Sequence, residues 1–316
     1  MEMPSNNHAL FEMIAGKPSI TKVVEAVLSV WPEHADYLAK SFNVRNENVV
    51  VASELAAAAV LQLCGDQLRR FALNYRWTCD RLREEELFFH REGRYRLSTF
   101  EEAWREVYSD REYMSRYIDG LLLSQVLWFN HAATFEMFVN RVLGTADTPF
   151  DYLEIGPGHG LMVYLAARSP LSRRVEAWDV SDVSLTETRA ALETLQTPRP
   201  VTLRLADILG ATPRDDRFDL VVISEVLEHL ERPSEAVAFL HRILSPGGRI
   251  FANVPINSPS PDHIYLFSTP GDVSMLFERA GLRVKTIELF ATQGAPIDRA
   301  LRHKVSVSVG IIASAL

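Results

Sequence analysis

Two cysteines in 316 residues, Cys64 and Cys79, are too few for a disulfide framework and suit a reducing compartment. No apolar, leader-like segment opens the chain. The most apolar stretches, 54–63 and 118–129, are interrupted too soon to span a bilayer. These absences lead us to expect a cytoplasmic chain with no membrane partner. An excess of positive charge is also missing, since the formal net charge is -8. Phosphate binding needs clustered Lys and Arg, so no nucleic acid is expected as a partner. Internal repeats and low-complexity tracts are absent too. What remains is an ordinary globular composition, 47% hydrophobic and 23% charged, long enough for one large core or two smaller ones.

The chain changes character near residue 148. Before it, glycine and proline are sparse and apolar residues recur at helical spacing. Ile20, Val23, Val24, Ala26, Val27 and Val30 form one stripe; Leu55, Ala58, Ala59, Leu61 and Leu63 form another; Trp104, Val107, Tyr108 and Met114 form a third. Residues 87–97 break the pattern and read as two short strands around Gly93. Helices followed by a hairpin describe a winged-helix unit, a fold that can bind DNA. Residues 1–148 nevertheless carry sixteen Lys and Arg against twenty-one Asp and Glu, the wrong balance for reading DNA. We therefore expect a mostly helical domain over 1–148, with a winged helix as the alternative form, that supports a homodimer and roofs the site of the next domain.

From 149 to 316 strands and helices alternate. Strands are expected at 152–155, 174–179, 201–206, 218–223 and 248–254, with two more at 283–290 and 305–313. Helical patterns separate the first five. The expected fold is α/β, a doubly wound, mainly parallel, seven-stranded Rossmann-like sheet. In such sheets ligands bind at the carboxyl ends of the strands.

The first strand runs into Glu154, Ile155, Gly156, Pro157, Gly158, His159 and Gly160. Alternate glycines let the backbone turn sharply and approach a ligand closely. A dinucleotide site needs a third glycine three residues after the second. Counted from Gly156 that position is Leu161, and from Gly158 it is Val163, so the pattern fails from both starts. Glu154 would also repel a pyrophosphate. S-adenosylmethionine (SAM) has no phosphate and carries an ammonium that an acid can favour, so Glu154 with Gly156, Gly158 and Gly160 suits SAM better. Asp179, at the end of the second strand, is placed to accept from two ribose hydroxyls. At the third strand end Asp207 would meet the adenine amino group and Ile208 would cover the ring. Glu225 ends the fourth strand, opposite the expected methyl.

The stretches LEIGPGHG, VEAWD, LADI, FDLVVISEVLEHLERP and LSPGGRIFANVP together resemble the class I SAM-dependent methyltransferases, in particular the small-molecule branch that includes ubiquinone-biosynthesis O-methyltransferases. They cover roughly the second half of the chain. The resemblance implies that Glu154, Gly156, Gly158, Gly160, Asp179, Asp207 and Ile208 contact the cofactor. It also implies a fold shared by O-, N- and C-methyltransferases, so the acceptor atom stays open. Similar helical N-terminal domains mediate dimers in natural-product methyltransferases, a likeness of architecture only.

Methyl transfer needs an aligned nucleophile and often a base. Glu225, Glu228 and His229 stand at i, i+3 and i+4, so on a helix opening after the fourth strand they share one face. Two carboxylates and an imidazole can hold a divalent metal such as Mg²⁺, which would lower the pKa of an acceptor hydroxyl. In the resembled family an E-x-x-E-H set of this kind serves some members as metal ligands, with a later His that would be His263 here. Metal-free relatives carry a nearly identical stretch, so the metal-free alternative stays open: His229 or His263 is then the general base. Asp262 and Tyr265 lie in the same loop. The aromatic segment 113–131 offers Tyr117, Trp128, Asn130 and His131 as pocket residues and Arg116 as a clamp for a substrate carboxylate, beside a plain packing role. The favoured substrate is a small aromatic or amino-acid-derived molecule. Methylation of RNA or protein, and a non-catalytic SAM-binding regulator, are the alternatives.

Overall fold

The computed structural model describes residues 5–210 and 217–315. Eight helices precede the sheet: α1 (Ser5–Met13), α2 (Pro18–Val30), α3 (Ala35–Asn43), α4 (Glu47–Cys64), α5 (Leu68–Glu92), α6 (Phe100–Ala103), α7 (Arg111–Leu127) and α8 (Phe129–Met137). The α2 stripe turns Ile20, Val23, Val24 and Val27 fully inward, as an amphipathic helix requires. Asn46 starts α4 by accepting from the Val49 N–H at 3.0 Å.

Residues 87–97 are not a hairpin. α5 continues through Glu92 with Phe89 buried, and Gly93 at φ 72° is its left-handed C-terminal cap. A glycine at positive φ serves a helix end as well as a hairpin turn, which is why the pattern misleads. No winged helix is present among the described residues. The third stripe is broken as well: a π-helical stretch at Trp104–Tyr108 ends it, and Asp110 Oδ1 caps α7 by accepting from Glu112 and Tyr113 at 3.0 Å. The run Glu47–Glu92 corrects another expectation, because it contains a window of mean hydropathy 1.6, long and apolar enough by length and composition to cross a membrane. Within it Ala52, Ala56, Ala57 and Val60 pack into the interior.

The seven strands are β1 (Phe150–Ile155), β2 (Ser172–Asp179), β3 (Thr202–Leu205), β4 (Phe218–Ser224), β5 (Leu244–Ile256), β6 (Leu282–Ala291) and β7 (Val307–Ala315). Their order is β3-β2-β1-β4-β5-β7-β6, with β7 antiparallel to both neighbours and the other pairs parallel. This is the doubly wound sheet with one reversed strand near its edge. Helices α9 (Leu161–Arg168), α10 (Asp182–Thr194), α11 (Pro233–Ile243), α12 (Pro270–Arg279) and α13 (Ile297–Arg302) connect the strands. The order reverses between β1 and β4, so their carboxyl ends border the crevice where such sheets bind ligands.

One apolar cluster joins the helical region to the sheet, running from Leu10 and Val24 through Phe135 and Phe138 to Tyr152, Val222, Phe251 and Ile312. The opposite sheet face packs Val221 and Ile250 against Val237, Leu240 and Phe277 of α11 and α12. Where α5 meets α7, a Cβ on Gly120 would lie 2.1 Å from Thr78 Oγ1, so the helices approach as closely as glycine permits. Gly120→Ala is expected to lower unfolding free energy by about 1–3 kcal/mol through overpacking. Urea denaturation measures this, and an unchanged midpoint would contradict the contact.

Candidate functional site

β1 delivers Glu154 into the interior, and the chain then turns through Gly156, Gly158 and Gly160 at φ 67°, 49° and 76° into α9. A Cβ at Gly156 would strike Val226 Cγ2 at 2.5 Å, whereas one at Gly158 would meet nothing within 4 Å. The first glycine is demanded by the neighbouring β4 loop; the second faces open space, as a cradle for a ligand must. Glu154 itself accepts a 2.8 Å hydrogen bond from the Tyr152 hydroxyl and another from the Val163 N–H. Burial outweighs these bonds and pushes its pKa up to about 8.

Asp179 ends β2 and accepts from Ser184 Oγ at 2.7 Å and the Ser181 N–H at 2.9 Å. Burial raises its pKa, opposed by these bonds and by the nearby His229. Asp207 is exposed beyond β3, where it accepts from the Leu209 N–H at 2.9 Å, and Ile208 is buried beside it.

After β4 the structure departs from expectation, for no α-helix opens at Ser224. Glu225 takes a left-handed φ of 54°, and only a short 3₁₀ turn, Leu227–His229, follows before α11 begins at Pro233. The shared helical face of Glu225, Glu228 and His229 therefore does not exist. Asn253 on β5 holds the strained residue twice: its carbonyl accepts the Glu225 N–H at 2.9 Å and its Nδ2 donates to Glu225 Oε1 at 2.6 Å. Burial pushes Glu225 up to about 8 as well.

The tight turn instead drives Glu228 inward, where it is wholly buried and neither carboxylate oxygen has a hydrogen-bond partner. His229 Nε2 lies 3.5 Å and His263 Nε2 3.9 Å from Glu228 Oε1, and ligand atoms of the three residues all lie within 4.8 Å of one another. Glu225 is outside this group. The protons on the two rings follow from their other nitrogens. His263 Nδ1 is 2.7 Å from the Ser258 carbonyl and His229 Nδ1 is 3.1 Å from the Asp262 carbonyl, and a carbonyl can only accept. Both Nε2 atoms thus face the Glu228 carboxyl group. Burial lowers His263 to about 4, keeping it neutral at pH 7, and lifts Glu228 well above the carboxylate range, with Glu225 adding to the rise. Such a convergence of donors needs a cation or an extra proton at its centre.

Three tyrosines that sequence reasoning did not single out as a group close this cluster. Tyr108 donates to Asp262 Oδ2 at 3.2 Å and lies 3.1 Å from His229 Nδ1. Tyr117 bonds Ser260 Oγ at 2.5 Å and donates to Asp262 Oδ1 at 3.2 Å, while Tyr95 accepts from the Ser258 N–H at 3.0 Å. The π-helical stretch that ends on Tyr108 is the kind of irregularity that re-aims a side chain, but its sequence carries no mark of it.

A cavity of about 870 Å³ opens between the helical region and the carboxyl ends of β4 and β5. Trp128, Asn130, His131 and Glu225 line it; Tyr117, His229 and His263 do not. Arg116 is no carboxylate clamp there, since its guanidinium sits 4.3 Å over the Trp77 ring. Tyr265 is exposed, its ring tilted against that of Phe267 with centres 4.7 Å apart. His159, overlooked between two glycines, is pushed down to about 4 by burial, and His131 is lowered to about 3 by its own burial first and by the charge of His159 second.

The doubly wound sheet thus carries a glycine turn after β1 and acids at or just beyond the ends of β2, β3 and β4. Residues 153–252 match the family described as "Methyltransferase domain". Among curated proteins the chain is similar to a ubiquinone biosynthesis O-methyltransferase from Caulobacter vibrioides, 36% identical over 34% of this chain and 43% of that protein. It is also similar to an uncharacterized 37.1 kDa protein in transposon Tn4556 from Streptomyces fradiae, 34% identical over 33% of this chain and 29% of that protein. The chain thus spans less than half the length of these curated relatives. Among solved structures it is similar to the N-methyltransferase NodS from Bradyrhizobium japonicum in complex with S-adenosyl-L-homocysteine, at TM-score 0.44 and 16% identity over 58% of this chain and 87% of that one.

The raised Glu154 makes a prediction about stability. Its folded pKa of about 8 exceeds the ordinary 4.5, so between those values the folded state binds more protons than the unfolded state. Stability contributed there falls as pH rises. Glu154→Gln is expected to flatten the decline in unfolding free energy between pH 5 and 8. Denaturation at several pH values reads it, and parallel curves for parent and variant would show that Glu154 is already ionised.

Proposed function

We propose that this protein transfers the methyl group of SAM to a small-molecule acceptor bound in the 870 Å³ cavity. The observation that carries the reading is the position of that cavity: the helical region roofs it, and Glu225, from the carboxyl end of β4, lines it beside the cofactor crevice. Its volume lies within the range usual for small-ligand sites. The cofactor would lie over the Gly156–Gly160 turn, with Asp179 accepting from the ribose hydroxyls and Asp207 and Ile208 at the adenine. The residues fit that role, because Gly158 faces open space and the oxygens of Asp179 lie at a strand end. Asp179→Ala is expected to weaken S-adenosylhomocysteine binding roughly 100-fold, the effect of losing two charge-assisted hydrogen bonds. Calorimetric titration measures it; retained affinity in a folded variant would refute this placement of the ribose.

The proposal includes a divalent cation held by Glu228, His229 and His263. What supports it is the pair of orphaned Glu228 oxygens facing two imidazole nitrogens. Two imidazole nitrogens and one carboxylate suit a transition-metal ion such as Mn²⁺, Fe²⁺ or Zn²⁺ better than the oxygen-seeking Mg²⁺. None of the three residues lines the 870 Å³ cavity, so such an ion would act by offsetting the buried acid and tying the His263 loop to the turn after β4. The protein's own part is to fix both rings by their Nδ1–H bonds and to keep Asp262 beside His229. Added Mn²⁺ is expected to raise the melting temperature of the parent. Glu228→Gln should abolish that rise while stabilising the metal-free protein, because it removes a buried carboxylate without a partner. An equal Mn²⁺ response in both proteins would dismiss the site.

A further inference from the structure

The 870 Å³ cavity is graded in charge from mouth to floor. Four of its lining residues, Lys40 on α3, Arg83 on α5, Arg299 on α13 and Lys304 before β7, are cationic and exposed, which places them at the opening. Only two acids, Asp80 and Glu86, share that rim. Among the described residues none of the four cations makes an ion pair, and Lys304 Nζ lies 6.0 Å over the Phe89 ring. In a chain of net charge -8, four unpaired cations from separate elements converging on one opening mark a place for an anion.

Inside the rim the wall is aromatic and neutral. Trp31 stacks on His34 with ring centres 3.9 Å apart, and His34 stacks on Tyr37 at 4.6 Å. Trp128 Nε1 donates to the Tyr75 hydroxyl at 2.8 Å, and the same hydroxyl is hydrogen-bonded to His34 Nε2 at 2.8 Å. Burial lowers His34 to about 4, so the stack carries no charge at pH 7. These rings are locked before any ligand arrives, and flat faces favour flat guests. Glu225, Asn130 and Asn257 make the deeper lining polar.

We propose that the acceptor is an aromatic acid: a flat body against the Trp31, Tyr37 and Trp128 rings, and a carboxylate or phosphate held by Lys40, Arg83, Arg299 and Lys304 at the end remote from Glu225. This rests on the methyl-transfer reading of the same cavity. Three probes of one shape test it by calorimetry in the presence of S-adenosylhomocysteine: 2-naphthoate, 2-naphthyl phosphate and 2-naphthalenemethanol. At least one anion is expected to bind roughly tenfold more tightly than the alcohol, as a few exposed pairs can supply, and the tighter anion names the group. The Arg299→Glu, Lys304→Glu double variant should erase that preference while binding S-adenosylhomocysteine like the parent. Equal binding of all three probes, binding of none, or a preference that survives in the double variant would overturn the aromatic-acid assignment. Failure of parent and double variant alike to bind S-adenosylhomocysteine would instead overturn the methyl-transfer reading, so the two failures are distinguishable.

Discussion

The double hold of Asn253 on Glu225 is the interaction on which the rest of the site depends. A glutamate at φ 54° is strained, and the conformation persists because β5 grips it through both backbone and side chain. That one turn has three consequences. It keeps Glu225 on the cavity wall, it brings Val226 so near β1 that residue 156 must be glycine, and it coils Leu227–His229 tightly enough to bury Glu228. A regular helix beginning at the same point would have spread these side chains over a single exposed face.

The buried cluster that results sets an acid with no hydrogen-bond partner against two imidazole rings in a medium that screens poorly, and burial raises the acid's pKa accordingly. The surroundings are arranged to preserve this arrangement. Ser258 and Asp262 carbonyls fix the ring tautomers, and Tyr108 and Tyr117 reach across from the helical region to steady Asp262. The helices therefore do more than cover the sheet. They share its core on one face, supply hydroxyls to the cluster and build the aromatic side of the cavity.

Much of the architecture was legible in the residues. Alternation of apolar strands with helical patterns announced a doubly wound sheet, and all seven strands lie where the pattern put them to within a few residues. Glycine spacing after β1 and the acids at the ends of β2 and β3 are local features, dictated by backbone freedom and strand-end chemistry, so they survive being read one segment at a time. The segment 87–97 failed for a reason equally local: a glycine at positive φ closes a helix and a hairpin alike, and only the burial of Phe89 against the helical core separates the two.

What the sequence alone determined is the class of sheet, its glycine turn and the identity of the residues offered at each strand end, because these depend on neighbours within a few positions. The tertiary structure decided how those residues meet. His263 joins Glu228 and His229 from thirty-five and thirty-four residues away, Tyr108 arrives from a distant π-helical stretch, and the cavity draws its rings and cations from elements between Trp31 and Ser308. Those meetings depend on how the helices seat against one sheet face, a property of the whole packed core that no local pattern encodes.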